Sequence, residues 1–296
     1  MRGLFVGLVT LDVVQRVERL PGPNEKIVAR SADVAAGGPA TNAAVSFAAL
    51  GGTATLVTAL GAGPFRPVVA EDLTRHHVDV VDAAAPGHRG PAISAVTVVA
   101  GTGDRSVVSI NAEHVRTNVP AELPDLASSG DVVLIDGHLP GLAHAAVAAA
   151  VRSGIRIVYD GGSWKPAIAD VLPELDAAVC SAAFAVPGRD SGTESAVALL
   201  NMGVPFVACT DGPHPIRWWT GERSGAVKVP AVTARDTLGA GDTFHGAFAF
   251  AVAAGVADVT ALGFAAAVAA VRVEHVGPRA WLSDPRLRTL AAEVSG

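Results

Sequence analysis

The sequence predicts a layered α/β protein built on a mostly parallel sheet. Two features carry that reading: short β-branched apolar runs of strand length recur along the chain, and Ala-rich stretches of helical length alternate with them. With 296 residues, 50% of them hydrophobic, the chain can fill a sizeable core. The first run, Leu4 to Val9, reads as a buried strand rather than a leader, because Asp12 interrupts the apolar stretch and no small-residue cleavage site follows. Further strands buried on both faces are predicted at Thr55 to Thr58, Val132 to Ile135, Ile155 to Tyr159, Ala177 to Cys180 and Phe206 to Thr210. Helices are predicted at Ala40 to Leu50, Leu142 to Ser153 and Glu194 to Met202, several of them closed by glycine.

Two stretches break this rhythm. One is Lys26 to Val34; the other is a hairpin of Ile93 to Ala100 and Arg105 to Asn111, turning through Gly101 to Asp104. They predict a small separate sheet, drawn from about residues 12–35 and 88–112, that forms a lid on a single domain spanning residues 1–296. Neither an internal repeat nor a low-complexity linker is present. The stretch from Gly246 to Val271 is apolar for long enough to cross a bilayer, but Asp258 at that depth would cost about 2.5–3.5 kcal/mol. Two buried helices joined at Gly255 are therefore expected.

Composition excludes several function classes. The formal net charge is −6, from 28 acidic and 22 basic residues spread along the chain without a basic stripe, which argues against nucleic acid as a partner. Cys180 and Cys209 each lie inside an apolar run and read as buried thiols, consistent with a reducing cytoplasm. There is no Gly-x-x-x-x-Gly-Lys-Ser/Thr loop, no Gly-x-Ser-x-Gly elbow and no His-Glu-x-x-His motif. The adjacent His76 and His77 lie in a helical stretch without a third candidate ligand and read as a solvated face.

The strongest chemical signal is Asp236-Thr-Leu-Gly-Ala-Gly-Asp242, followed by an apolar helical stretch. Gly239, Ala240 and Gly241 lack bulk, so their N–H groups can converge at a helix N-terminus, where an anion is favoured. Asp242, in the first helical turn, is placed to accept a proton from an attacking hydroxyl; the alternative is an ordinary capping carboxylate. Upstream, Ala36-Gly-Gly-Pro-Ala-Thr-Asn42 opens another helix, with two glycines that allow close approach of a ligand and an amide suited to reading hydroxyls.

The C-terminal heptapeptide closely resembles the second signature of the ribokinase-like (PfkB) carbohydrate kinase family. The upstream stretch resembles its first signature, a Gly-Gly pair with Asn42 four residues after Gly38, and Asp12 matches the acid that follows the family's first strand. The resemblance covers nearly the whole chain and implies a ribokinase-like three-layer α/β/α sandwich with a small β-sheet lid. It implies that Asp242 is the catalytic base, that Gly239, Ala240 and Gly241 form the anion hole, and that Asp12, Gly38 and Asn42 hold a sugar. ATP and Mg²⁺ are implied as co-substrate and ion, with Thr210 and Gly212 on the nucleotide side. The tail from Arg272 to Arg279 resembles the region where family members touch adenine and, in some, K⁺. Homodimers through the lid are implied as well.

One departure stands out. Where many relatives carry Asn-x-x-Glu, this chain has Val179 to Phe184 without an acid, so no protein group for the metal is assigned. Asp160, with Lys165 beyond it, is a candidate helper near the phosphates, and a surface turn is the alternative. The acceptor is expected to be a ketose such as fructose, since the chain looks most like ketohexokinase, fructokinase and sulfofructose kinase members. Near Asp136-Gly-His138 there is His138 but no Arg to clamp a charged group, which favours an uncharged ketose. Nucleoside or sugar-acid kinases of the same family, and a non-catalytic sugar- or nucleotide-binding regulator, are the alternatives.

Overall fold

The computed structural model describes residues 1–295. In chain order the strands are β1 (Arg2–Val6), β2 (Thr10–Val17), β3 (Ser31–Gly37), β4 (Thr53–Thr58), β5 (Val78–Asp82), β6 (Ala92–Val99), β7 (Arg105–Ser109), β8 (Val132–Ile135), β9 (Arg156–Gly161), β10 (Ala177–Ser181), β11 (Val207–Asp211), β12 (His214–Trp219) and β13 (Ser224–Val227). The helices are α1 (Pro39–Ala49), α2 (Arg66–Arg75), α3 (Leu123–Ser129), α4 (Pro140–Ser153), α5 (Thr193–Asn201), α6 (Ala240–Ala253), α7 (Asp258–Val273) and α8 (Arg286–Ser295). Nine strands make one sheet in the order β13-β12-β11-β10-β9-β8-β1-β4-β5, parallel from β11 through β5, with β12 and β13 added antiparallel. A second sheet has the order β3-β2-β6-β7.

The layers follow from side-chain alternation on buried parallel strands. On β1, Phe5 enters one core with α1, α6 and α7, while Leu4 and Val6 enter a second core with α3, α4 and α5 on the opposite face. Phe5 meets Phe47 edge-on at 5.3 Å and Phe47 meets Phe250 at 5.5 Å, tying β1 to α1 and α1 to α6. The two helices touch where Gly246 faces the Ala43 carbonyl; a Cβ there would stand 2.2 Å from that oxygen. The predicted long apolar stretch is divided into α6 and α7 by a turn at Gly255 (φ 82°), and Asp258 opens α7 paired with Arg156. No helix among the described residues is long and apolar enough to cross a membrane.

Several boundaries differ from the sequence reading. The first strand ends at Val6 because the Gly7 N–H goes to Val57 and the Leu8 N–H to the Asp136 carboxylate. The strand expected at Lys26 to Val34 runs instead over Ser31–Gly37, where buried Ala35 and Ala36 pack, while Lys26 to Arg30, with Val28 left exposed, belong to no strand. β2 went unread because Asp12, Gln15 and Arg16 interrupt its apolar pattern, although Arg16 is itself buried. His76 and His77 are not on a helix face: α2 ends at Arg75, His77 is left-handed (φ 59°), and His76 folds back onto Asp72. Cys180 and Cys209 are buried, free and register partners on β10 and β11.

Gly246→Ala should lower unfolding stability by about 1–3 kcal/mol, because the α1–α6 contact must open to admit the methyl group. Chemical denaturation measures it.

Candidate active site

Parallel strands present their C-terminal ends on one edge, and the two glycine motifs start helices there. Gly38, with φ 101°, follows β3 and caps α1 in a conformation that side chains avoid; its neighbour Gly37 leaves room for the Asp12 carboxylate, which lies 2.2 Å from where a Cβ would be. Asp136, at the end of β8 and fully buried, accepts N–H bonds from Leu8 (2.9 Å), Ala40 (3.3 Å) and His138 (2.9 Å). Burial alone would raise its pKa, but the His138 charge and these donors hold it below the usual carboxylate range. Asp136 therefore acts as a knot joining β1, α1 and β8, not as a proton acceptor.

Asp242 lies in the first turn of α6. The turn before it is set by Asp236, whose Oδ1 accepts the Leu238 N–H at 3.0 Å, and by Gly239 in the left-handed region. Thr243 N–H bonds back to Gly239, whereas the N–H groups of Gly241 and Asp242 meet no acceptor among the described residues, leaving two donors at the positive end of a helix. Asn42 Nδ2 donates to Asp242 Oδ2 at 2.8 Å. Its other end, Oδ1, accepts from Arg279 at 3.1 Å, so the amide can face only one way. Arg279 in turn donates to the Ala36 carbonyl at 2.6 Å and to Asp72 at 3.0 Å. Burial alone would raise Asp72, but His76, Arg279 and the Ala36 N–H outweigh it and hold its pKa at about 2. Asp12, Asn42, Gly239 and Arg279 line one small pocket. Asp12 accepts from Thr10 at 2.6 Å, and burial raises its pKa against the hydrogen bonds of Thr10 and Ser94.

Burial also pushes Asp242 up; the negative charge of Asp160 adds to this and the Asn42 bond offsets part, leaving a pKa of about 6. A carboxylate poised there is ionised at neutral pH yet far more basic than an exposed one. Asp160 is not on a surface turn. It is buried within β9, its Oδ2 has no hydrogen-bond partner, and His245 Nδ1 stands 3.3 Å away. His245 also faces the Gly241 carbonyl at 2.7 Å and the Val179 carbonyl at 2.9 Å, so both ring nitrogens meet oxygens that only accept. The Lys165 ammonium donates to Ser163, and burial lowers its pKa against the pull of Asp136 and Asp160.

The tail expected near adenine divides. Arg272 is buried against Asp236, which also accepts from Arg16 of β2 at 2.7 Å and from the Gly277 N–H at 2.9 Å. Arg279 turns away from it, to Asn42, the Ala36 carbonyl and Asp72. On β11, the Thr210 hydroxyl donates to the Cys180 carbonyl at 3.3 Å, and Gly212 forms an exposed left-handed turn beyond it. Sequence reasoning missed Asp72 and His245, and read Arg279 only as part of the adenine-side tail. Only His245 left a signal, since it falls four residues after Gly241, one turn along the same helix.

A model of the pfkB family of carbohydrate kinases matches residues 3–285. The chain belongs to that family. It is thus a carbohydrate kinase, a phosphotransferase with an alcohol group as acceptor. Among similar family members, the ribokinase of Arabidopsis thaliana is 28% identical over 299 residues, covering 93% of this chain and 76% of that protein. The mouse ribokinase is 26% identical over 271 residues, covering 84% and 81%. In three dimensions, a candidate ribokinase from Agrobacterium tumefaciens superposes with a TM-score of 0.85 at 26% identity, covering 99% of this chain and 97% of the other. Phosphofructokinase-2 from Escherichia coli shares the fold at a TM-score of 0.77 and 20% identity, covering 100% and 99%.

If Asp242 must be ionised to act, kcat/KM should rise with pH through an apparent pKa of about 6 and level off above it. Asn42→Leu removes a bond that stabilises the carboxylate form, so its acidic limb should move to higher pH. Initial rates between pH 5 and 8.5 test both.

Proposed function

We propose that this family member transfers the γ-phosphate of ATP to a hydroxyl of a small sugar, with Asp242 as the base. The observation that carries the reading is the Asn42–Asp242 bond, which puts a carboxylate of raised pKa beside two free N–H groups at a helix N-terminus. Asp12, Gly38 and Asn42 hold the acceptor. Asp242 takes the proton of the attacking hydroxyl, whose oxygen forms the new bond to phosphorus as the bond to the β–γ bridging oxygen breaks and ADP leaves. The turn of Gly239, Ala240 and Gly241 faces the charge on the transferring group.

Thr210 and Gly212 take the nucleotide side. Among the described residues no three His, Cys, Asp or Glu side chains converge to hold a metal, so a Mg²⁺ arriving with ATP would be held mainly by phosphate and water. Asp160, with its unpartnered buried Oδ2, fits the role of holding one such water, and the ion would neutralise phosphate charge. The small sheet is the lid on the acceptor, and its exposed Ile93 and Val108 support pairing of two copies.

The acceptor we infer first is a ketose of the fructose kind, supported by the sequence resemblance and by rice fructokinase-2, 25% identical over 240 residues. Ribose is the second reading, supported by the ribokinases of Arabidopsis and mouse.

Asp242→Asn should lower kcat for acceptor-dependent ADP release by about 10²–10⁴ while leaving the fold intact. Coupled-assay turnover and circular dichroism measure the two; near-normal turnover would remove Asp242 from the mechanism.

A further inference from the structure

A cavity of about 540 Å³ opens between the segment leading from β5 into β6 and the segment that follows β7. Its walls carry Arg89, Arg116, His88, His114 and Asn111 and no carboxylate, in a chain whose net charge is −6. Arg89 and Arg116 are exposed, and among the described residues neither pairs with an acid. The backbone beneath them is fixed. The His88 carbonyl accepts from the Ala62 N–H at 3.0 Å, and the Arg116 carbonyl accepts from the Ala85 N–H at 2.9 Å. Two guanidiniums on anchored loops, facing a common space without a counter-charge, suit a tetrahedral or planar oxyanion, which they can grip through paired N–H donors.

The place of this cavity says which ligand brings the anion. Ala92 lines it and pairs with Thr10; two residues on, Ser94 pairs with Asp12 and hydrogen-bonds to its carboxylate. Ser94 also bonds Ser109 at 3.1 Å, and Ser109 accepts the N–H of Asn111, another wall residue, at 3.1 Å. The cavity therefore adjoins Asp12. The nucleotide side lies elsewhere: β11, which carries Thr210, is six strands from β5 in the main sheet, roughly 29 Å at the usual spacing. The nucleoside end of ATP held there is far from Arg89 and Arg116, and its γ-phosphate is committed to the Gly239 to Gly241 turn, so an anion in this cavity belongs with the acceptor at Asp12.

We infer that the acceptor is an anionic sugar, whose phosphate, sulfonate or carboxylate group, remote from the reacting hydroxyl, is held by Arg89 and Arg116. The inference rests on the kinase reading above and deepens it. The sequence around His138 offered no arginine for such a group; the basic residues come instead from two loops that the fold brings together.

The test compares fructose with fructose 6-phosphate and ribose with ribose 5-phosphate, by calorimetric binding and by ADP release with Mg-ATP. Wild-type protein and the double variant Arg89→Gln, Arg116→Gln are measured side by side. Both side chains are exposed, so the variant should fold, and an unchanged melting temperature checks this. The expected result is that a phosphorylated sugar binds at least about tenfold more tightly than its uncharged counterpart, and that the double variant erases this advantage while binding of the uncharged sugar stays within about twofold. The inference is overturned if no phosphorylated sugar is preferred, or if the preference survives both substitutions. Binding that follows this pattern without ADP release, in protein that binds ATP, would support the pocket and contradict the catalytic reading, so the two fail separately.

Discussion

The hydrogen bond from Asn42 to Asp242 joins two helix starts that lie 200 residues apart in the chain, and the site's geometry depends on it. A bond of this kind to a charged group is worth about 1.5–3 kcal/mol. It can form only if α1 and α6 cross closely, which Gly246 and the edge-to-face contacts of Phe5, Phe47 and Phe250 permit. The amide must also be turned the right way. Arg279, anchored on Asp72 and the Ala36 carbonyl, settles that by donating to the oxygen end of Asn42. Core packing, an ion pair and a side-chain amide thus converge on one carboxylate oxygen.

The carboxylates at this edge of the sheet have been driven apart in proton affinity by their surroundings. Asp136 and Asp72 each accept several hydrogen bonds and are held low, which makes them structural anchors of the loops they bind. Asp12, Asp160 and Asp242 have fewer donors than their burial requires and are raised. Separation of this sort is how a site sets fixed charges apart from groups that exchange protons. His245 stands beside Asp160, its ring among three acceptor oxygens and next to a buried carboxylate oxygen that has no hydrogen-bond partner among the described residues.

Much of the architecture was legible in the sequence because strands buried on both faces must be continuously apolar, as at Val132–Ile135 and Ala177–Ser181. The division of α6 from α7 at Gly255 could be read for the same reason, a helix-ending glycine followed by an acid. The small sheet was legible only in part. In β2, Arg16 is buried because its charge is met by Asp236, 220 residues on, and no local pattern reveals such a partner. The glycine motifs pointed to the two helix starts that carry Asn42 and Asp242, but not to what orients those side chains. Arg279 acquires its place only when the C-terminal turn folds across α1, and Arg89 and Arg116 acquire theirs only when two loops meet.

The central claim is direct transfer from ATP to a sugar hydroxyl, with Asp242 acting on a proton and never carrying the phosphate. The stereochemical course at phosphorus tests it most directly, using ATP made chiral at the γ-phosphate with oxygen isotopes and the best acceptor found. Inversion of configuration is the predicted result, as one in-line displacement requires. Retention would mean two displacements through a phosphorylated protein group and would contradict the assignment of Asp242 as a base.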